Sequence, residues 1–272
     1  MMLKRCATLF AALAACLLFV LPVSGQARTL DEIIADGTVK IGVHPNLPPL
    51  SYRDESGNWQ GFDIELGKLL AGKMGVEPEF VGTEFNARVP GLVSDLIDFS
   101  MAALTRNSER MKVIDFTFPV YTENLAVLTT DKVGDVQSWK DLDREGLTMV
   151  GCRGCFPVQW MKEHMPKVNV LVVDSGSDMV RTIAQGRADG MVANLEWHKR
   201  FTENHPDINW VIIPDIIRTS YCAIGVKKGN YGLRDYLNAA IYEIQAAGTH
   251  NELWEKFWGR APLVAVQPQP YW

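Results

Sequence analysis

Charge is almost absent from the start of this 272-residue chain: Lys4 and Arg5 are its only charged side chains before Arg28, and the first acidic residue is Asp31. Between them an apolar run, Cys6 to Val23, ends in Ser24-Gly25-Gln26-Ala27. A basic start, an apolar middle and a small-residue exit predict a secretory signal peptide over residues 1–27, cleaved after Ala27, and an exported product in the periplasm. Leu13-Ala14-Ala15-Cys16 offers an alternative, a lipoprotein box with lipid on Cys16. Leu17 to Leu21 stay strongly apolar after it, unlike a solvated tether, so cleavage after Ala27 is the expectation. No second apolar run of membrane length follows Val23, and the mature part is expected to be soluble.

Cysteine is scarce too. Of the five, Cys6 and Cys16 lie in the expected signal, leaving Cys152, Cys155 and Cys222. No second Cys pair or His-x-x-x-His accompanies the first two, and His44, His164, His198, His205 and His250 show no metal spacing. That pattern argues against a zinc site, and no metal or cofactor is expected. In an oxidising compartment Cys152-Arg153-Gly154-Cys155 is expected to close a local disulfide, leaving Cys222 as a buried thiol. Excess positive charge is also missing. Without Lys4 and Arg5, the 27 basic residues fall to 25 against 32 acidic ones, a net charge of about −7. Such a balance argues against a general nucleic-acid or anionic-membrane binder, and no nucleic-acid partner is expected. Short-period repeats and low-complexity tracts are absent.

What is present is an alternation of strand and helix patterns over about 245 residues, enough for one large domain or two lobes. Thr38 to Val43 reads as a buried strand running into the Pro-rich turn His44 to Pro49. Gly61 to Gly75 reads as a helix with Phe62, Leu66, Leu69, Leu70 and Met74 on one face and Gly75 as its stop. Pro78 to Glu84 and Phe99 to Leu104 read as strands around a short helix, Val89 to Asp95. The rhythm repeats: strands at Leu147–Gly151, Asn169–Val173 and Gly190–Ala193 alternate with helices at Val158–His164 and Asp178–Gln185. A last strand, Ala223–Val226, precedes helices through Leu233–Ala247 and Asn251–Trp258. The βαβ order predicts an α/β fold with largely parallel sheets flanked by helices. The Pro-rich tail from Ala261 is expected to be irregular.

An ordered series of motifs carries a resemblance. Ile41-Gly-Val43 is followed by Pro48-Pro49, Gly57 and Gly61-Phe62-Asp63-Ile64-Glu65-Leu66. Then come Asn86-Ala-Arg-Val-Pro-Gly-Leu92, Asp98, and Thr105-Arg-Asn-Ser-Glu-Arg110 leading to Ile114-Asp115-Phe116. Pro119-Val-Tyr121, Asp141-Leu142 and Gly186-Arg-Ala-Asp189 complete it. From about Thr38 to about Gly259 the chain resembles the amino-acid-type (family 3) solute-binding proteins of bacterial ABC transporters. The resemblance implies a two-lobed clamp: two α/β lobes joined by two crossover strands, with a ligand in the cleft. It places lobe 1 at residues 28–129 and 221–272 and lobe 2 at 130–220. The implied partners are a small carboxylate-bearing ligand, an amino acid or related organic acid, and the membrane permease of an ABC transporter; a monomer is expected.

By the same resemblance Arg110 clamps the ligand carboxylate, a role suited to a planar guanidinium that stays charged. Thr105 supplies a hydroxyl and an N–H to that carboxylate, and the Ala103 carbonyl accepts from a ligand amine. Phe85 packs on the ligand, and Leu47 stands where relatives often place an opposing aromatic. Arg88 and Arg106 are candidates for a second anionic group, and Cys155 lies on the lobe-2 loop that relatives use to contact ligand. Asn194 departs from the pattern: an Asp there usually anchors the ligand ammonium, and here the amide is neutral, with Glu196 two positions on. Two other roles fit the resemblance. Cyclohexadienyl dehydratases share the fold, but the acid they need falls at Trp197 here. A ligand-binding receptor or accessory protein for a membrane sensor is the other.

Overall fold

A computed structural model describes residues 27–195, 198, 202 and 205–268. The expected signal peptide other than Ala27, the alternative lipid site Cys16, and the positions Glu196 and Trp197 lie outside the described residues. A capping box between Thr29 and Glu32 starts the helix Leu30–Asp36, which the left-handed Gly37 ends. The chain then enters β1 (Thr38–Val43), whose inward residues Val39, Ile41 and Val43 are fully buried. Short strands β2 (Asn46–Leu47), β3 (Ser51–Arg53) and β4 (Trp59–Gln60) form a small antiparallel sheet absent from the sequence expectation. Two- and three-residue strands are too short to show a period.

The helix Phe62–Met74 follows, bounded by Gly61 and Gly75 as predicted. Gly61 has φ 124°, and a Cβ there would stand 2.3 Å from the Leu50 carbonyl oxygen. One residue of its expected face is corrected. Leu69 is 37% exposed, because the inward i, i+4 row of Phe62, Leu66, Leu70 and Met74 drifts around the helix and Leu69 lies at its rim, about 100° from Leu70 and about 140° from Met74. β5 (Glu77–Gly82) and β6 (Phe99–Ser100) pair parallel with β1 on its two sides. β6 stops at Ser100, well short of the predicted Leu104, because Ala103 turns into the left-handed region with φ 49°.

Two long strands then cross the molecule. β7 (Ile114–Thr130) carries buried side chains along nearly its whole length. β8 (Thr148–Cys152), β9 (Asn169–Val173) and β10 (Gly190–Asn194) build the second half, and β11 (Trp210–Lys227) returns antiparallel to β7. The order is β5-β1-β6-β11-β7-β10-β8-β9. Each outer triplet is parallel, and the antiparallel ladders of this sheet lie where the crossover pair joins them. Only the end of β11 was expected as a strand; near-continuous burial hides the period of β7, and in the first part of β11 apolar residues such as Ile212 and Ile216 also stand on the exposed face. Ile41, Phe62, Leu70, Phe99 and Leu237 anchor one core, while Val127, Met149, Trp160, Val192 and Ile213 anchor another. The helices Tyr231–Ala246 and Thr249–Trp258 return to the first half, and residues 261–268 are irregular as expected. No helix among the described residues is long and apolar enough to cross a membrane.

Candidate functional site

Where β7 and β10 run side by side, the two halves enclose a cavity of about 40 Å³. Phe85, Arg88, Ala103 and Thr105 line it from the first half. Cys152, Cys155, Phe156 and Asn194 line it from the second, and Glu123 and Leu125 of β7 close its floor. Most of the sequence-selected residues therefore meet in one place.

Arg88 begins the helix Arg88–Val93 and is 2% exposed, although a solvated surface is the common setting for an arginine. Its guanidinium is committed to main-chain oxygens. Nε donates to Phe85 O (2.9 Å), Nη1 to Ala102 O (2.8 Å) and Ala103 O (2.6 Å), and Nη2 to Gly154 O (3.0 Å). Burial and the neighbouring Arg110 charge push it down to about 9, so it remains cationic at neutral pH. Arg110 sits on the short helix Ser108–Met111, capped by the Asn107 side chain. It does not border the cavity but stands at its edge, donating from Nη1 to Thr105 O (2.7 Å) and from Nη2 to Gly154 O (2.9 Å).

Gly154 is thus gripped by both arginines from the opposite half. Its φ of 76° and the 2.8 Å that would separate a Cβ from Asn86 Cα leave room only for glycine. Cys152 and Cys155 flank it in the expected disulfide, with Cα atoms 5.5 Å apart, and Cys222 is buried and unbridged. The helix Phe156–His164 starts directly after the bridge, so its N-terminal end faces the cavity through Cys155, Phe156 and Pro157. That end carries positive partial charge and favours an anion.

The remaining selected residues divide. Phe85 is buried, tilts against His44 at 4.3 Å and lies under the Arg88 guanidinium at 4.8 Å. The Ala103 carbonyl, expected to meet a ligand amine, is already held by Arg88. Asn194 ends β10, is 4% exposed and lines the cavity. Leu47, at the end of β2, is not among the lining residues of this cavity; its side chain is buried in the main core. Arg106 is exposed on the outer surface. His44, the turn residue after β1, is buried, with Nδ1 accepting from Asn46 N and Nε2 3.1 Å from Glu84 Oε2. Burial, helped by Arg88, lowers it to about 4, so it is neutral at physiological pH.

Of the lining residues that sequence reasoning missed, two stand out for their chemistry. Phe156 brings a second aromatic to the cavity, from the helix opposite Phe85, and carries Arg218 over its ring at 4.7 Å. Glu123 is the other. It is 6% exposed, and burial raises its carboxyl to about 7 against the lowering effects of a Cys222 hydrogen bond, Arg88 and Arg110. Glu123 is the lone acid between Phe116 and Val127, but Thr117, Thr122 and Asn124 share that stretch, so no local signal singles it out.

Two α/β halves on a shared strand pair, with cationic forks and a buried cavity at the junction, define a clamp that closes on a small solute. The chain belongs to the bacterial extracellular solute-binding proteins, family 3, which it matches over residues 39–260. It is 30% identical over 249 residues to the arginine-binding extracellular protein ArtP of Bacillus subtilis, covering 90% of this chain and 94% of that one. A solute receptor for L-cysteine of Neisseria gonorrhoeae superposes with a TM-score of 0.78 at 26% identity, over 85% of this chain and 93% of that one. A cyclohexadienyl dehydratase of Pseudomonas aeruginosa is similar at 24% identity, over 71% of this chain and 74% of its own.

Proposed function

We propose that the protein captures a small carboxylate-bearing molecule, an amino acid or related organic acid, between its lobes. It then presents that molecule to the membrane permease of an ABC uptake transporter. The reading takes residues 28–129 and 221–272 as lobe 1 and 130–220 as lobe 2. It takes the protein as a periplasmic monomer released by cleavage after Ala27, and as a binding protein rather than a catalyst. The observation that carries it is the convergence of Arg88 and Arg110 on the single carbonyl of Gly154. A carboxylate offers two oxygens and a full charge where the peptide offers one oxygen and a dipole, and charge-assisted bonds are roughly twice as strong as neutral ones. With the lobes apart, both forks face the cleft; a ligand carboxylate then takes the acceptor role, and the helix end at Phe156 closes over it.

The test is a thermal-shift screen against amino acids, dicarboxylates, sulfonates and polyamines, followed by calorimetry of the hits on wild type and Arg110→Ala. Loss of a charge-assisted pair should weaken carboxylate binding at least about tenfold. Normal binding by Arg110→Ala rejects this assignment of the cleft.

A further inference from the structure

We propose that Glu123 is the specificity-determining carboxylate of this cleft and holds the cationic amine of the captured molecule, which is therefore a zwitterion such as an α-amino acid. The proposal rests on the carboxylate-capture reading above and names the ligand class it serves. Glu123 lies on β7 just before the residues that pair with β10, and it lines the same cavity as Asn194, Thr105, Ala103 and Arg88. Its Oε1 is buried and has no hydrogen-bond partner among the described residues, while the carboxyl touches the Cys222 thiol. Opposite it in the ladder, Ser220 leaves its own hydroxyl unpartnered rather than donating to the acid.

A structural acid in a hinge would be matched by a cation or by donors. Here both nearby cations are turned elsewhere. Arg88 donates to the carbonyls of Phe85, Ala102, Ala103 and Gly154, and Arg110 to those of Thr105 and Gly154. The cavity thus keeps an acid that meets the Cys222 thiol but no cation, with the Arg88 guanidinium in its wall and that of Arg110 at its edge. An ammonium and a carboxylate on one small molecule satisfy both. The neutral Asn194 amide supplies no countercharge, so the acid that reads the amine comes from the crossover strand instead of the end of β10.

The chemistry is a proton exchange. Uncomplexed Glu123 holds its proton up to about pH 7 because of burial, and an arriving ammonium stabilises the ionised form, so the proton leaves to solvent on binding. The charged and titratable groups around it are Arg88 and Arg110, Tyr121 on its own strand, Cys222 on β11 and Asp63 on the helix Phe62–Met74. Tyr121, Cys222 and Asp63 are all raised well above their ordinary values, foremost by burial, and Tyr121 and Cys222, which start at 10 and 9, stay protonated while Glu123 titrates.

The experiment screens the twenty standard L-amino acids and their deamino carboxylic acids by thermal shift, on the full mature chain. Calorimetry then follows the best amino acid and its deamino partner. At pH 6, in two buffers of different ionisation enthalpy, wild type should release about one proton per amino acid bound. Glu123→Gln should abolish that release and weaken the amino acid about tenfold or more, leaving the deamino acid within about threefold. Equal effects on both members of the pair, or no effect on either, overturn the role of Glu123. So does absence of proton release by wild type, a readout that needs no variant to fold. If only deamino acids bind wild type, the amine reading falls and carboxylate capture stands. If neither class binds, carboxylate capture falls and the role of Glu123 falls with it.

Discussion

Asp98 and Asp189 do the same work at matching corners of the two halves. Asp98 accepts from Lys40 N of β1 at 2.7 Å while its own N–H donates to Lys40 O at 2.9 Å. Asp189 accepts from Thr148 N of β8 at 2.7 Å while its own N–H donates to Thr148 O, also at 2.7 Å. Each carboxylate satisfies an amide in the first half of a neighbouring strand, Lys40 of β1 or Thr148 of β8, immediately before the chain enters β6 or β10. These motif residues hold strands, not ligand. Asp189→Ala should therefore lower stability by about 1.5–3 kcal/mol, the range for a hydrogen bond to a charged group, and leave affinity nearly unchanged. Chemical denaturation and calorimetry on the same sample check both halves of that statement.

Gly154→Ala tests closure. A Cβ at this residue would lie 2.8 Å from Asn86 Cα and 2.9 Å from Phe85 O, both main-chain atoms that cannot swing aside. The variant should fold normally yet keep its lobes apart. Small-angle scattering should give a larger radius of gyration than wild type, and ligand affinity should drop. An unchanged radius at saturating ligand would show that the loop yields instead.

Burial of Glu123 makes stability depend on pH with a definite sign. An ordinary Glu titrates near 4.5, and this one near 7 in the folded chain. The folded state binds the extra proton between those values, so stability falls as pH rises from about 4.5 to about 7 and levels beyond. Glu123→Gln removes the ionised form. It should gain stability over wild type at pH 8 by up to about 3 kcal/mol, and little at pH 4. Urea denaturation of both proteins at the two pH values measures the crossover.

Ala103 sits at φ 49°, a conformation that an L side chain enters at about 1–2 kcal/mol, to aim its carbonyl at Arg88. Glycine avoids that strain but gives up about 0.5–1 kcal/mol through its freer unfolded chain. Ala103→Gly should thus be neutral or stabilising by up to about 1 kcal/mol. A clear fall in the thermal midpoint would mean that the methyl group, 5% exposed beside the cavity, matters for packing.

The sequence made the rhythm and ends of most helices legible, because glycines such as Gly61 and Gly75 punctuate a 3.6-residue pattern. It did not reveal β7 or the first part of β11. β7, buried on both faces, loses its alternation, and a run such as Leu125 to Thr130 reads as apolar without direction, while β11 puts Ile212 and Ile216 on its exposed face. Residues of the site inside quoted motifs, Arg110 and Thr105 among them, were reachable; Arg88 was reachable as a position but not as a buried hub for four carbonyls. Glu123 was out of reach for a different reason. Its meaning depends on what β10 and the loop at Cys152 bring beside it, which no local pattern encodes.

The grip of Arg88 and Arg110 on Gly154 makes the loop an internal rival to the cargo. A molecule that shuts on its own main chain binds with an apparent dissociation constant equal to the intrinsic one divided by the fraction standing open. A change that weakens the two hydrogen bonds to Gly154 while leaving closure on the ligand unobstructed, unlike Gly154→Ala, raises that fraction and sharpens capture. The two holds also differ in lifetime: a carbonyl held by two hydrogen bonds lets go sooner than a charged ligand held by both lobes.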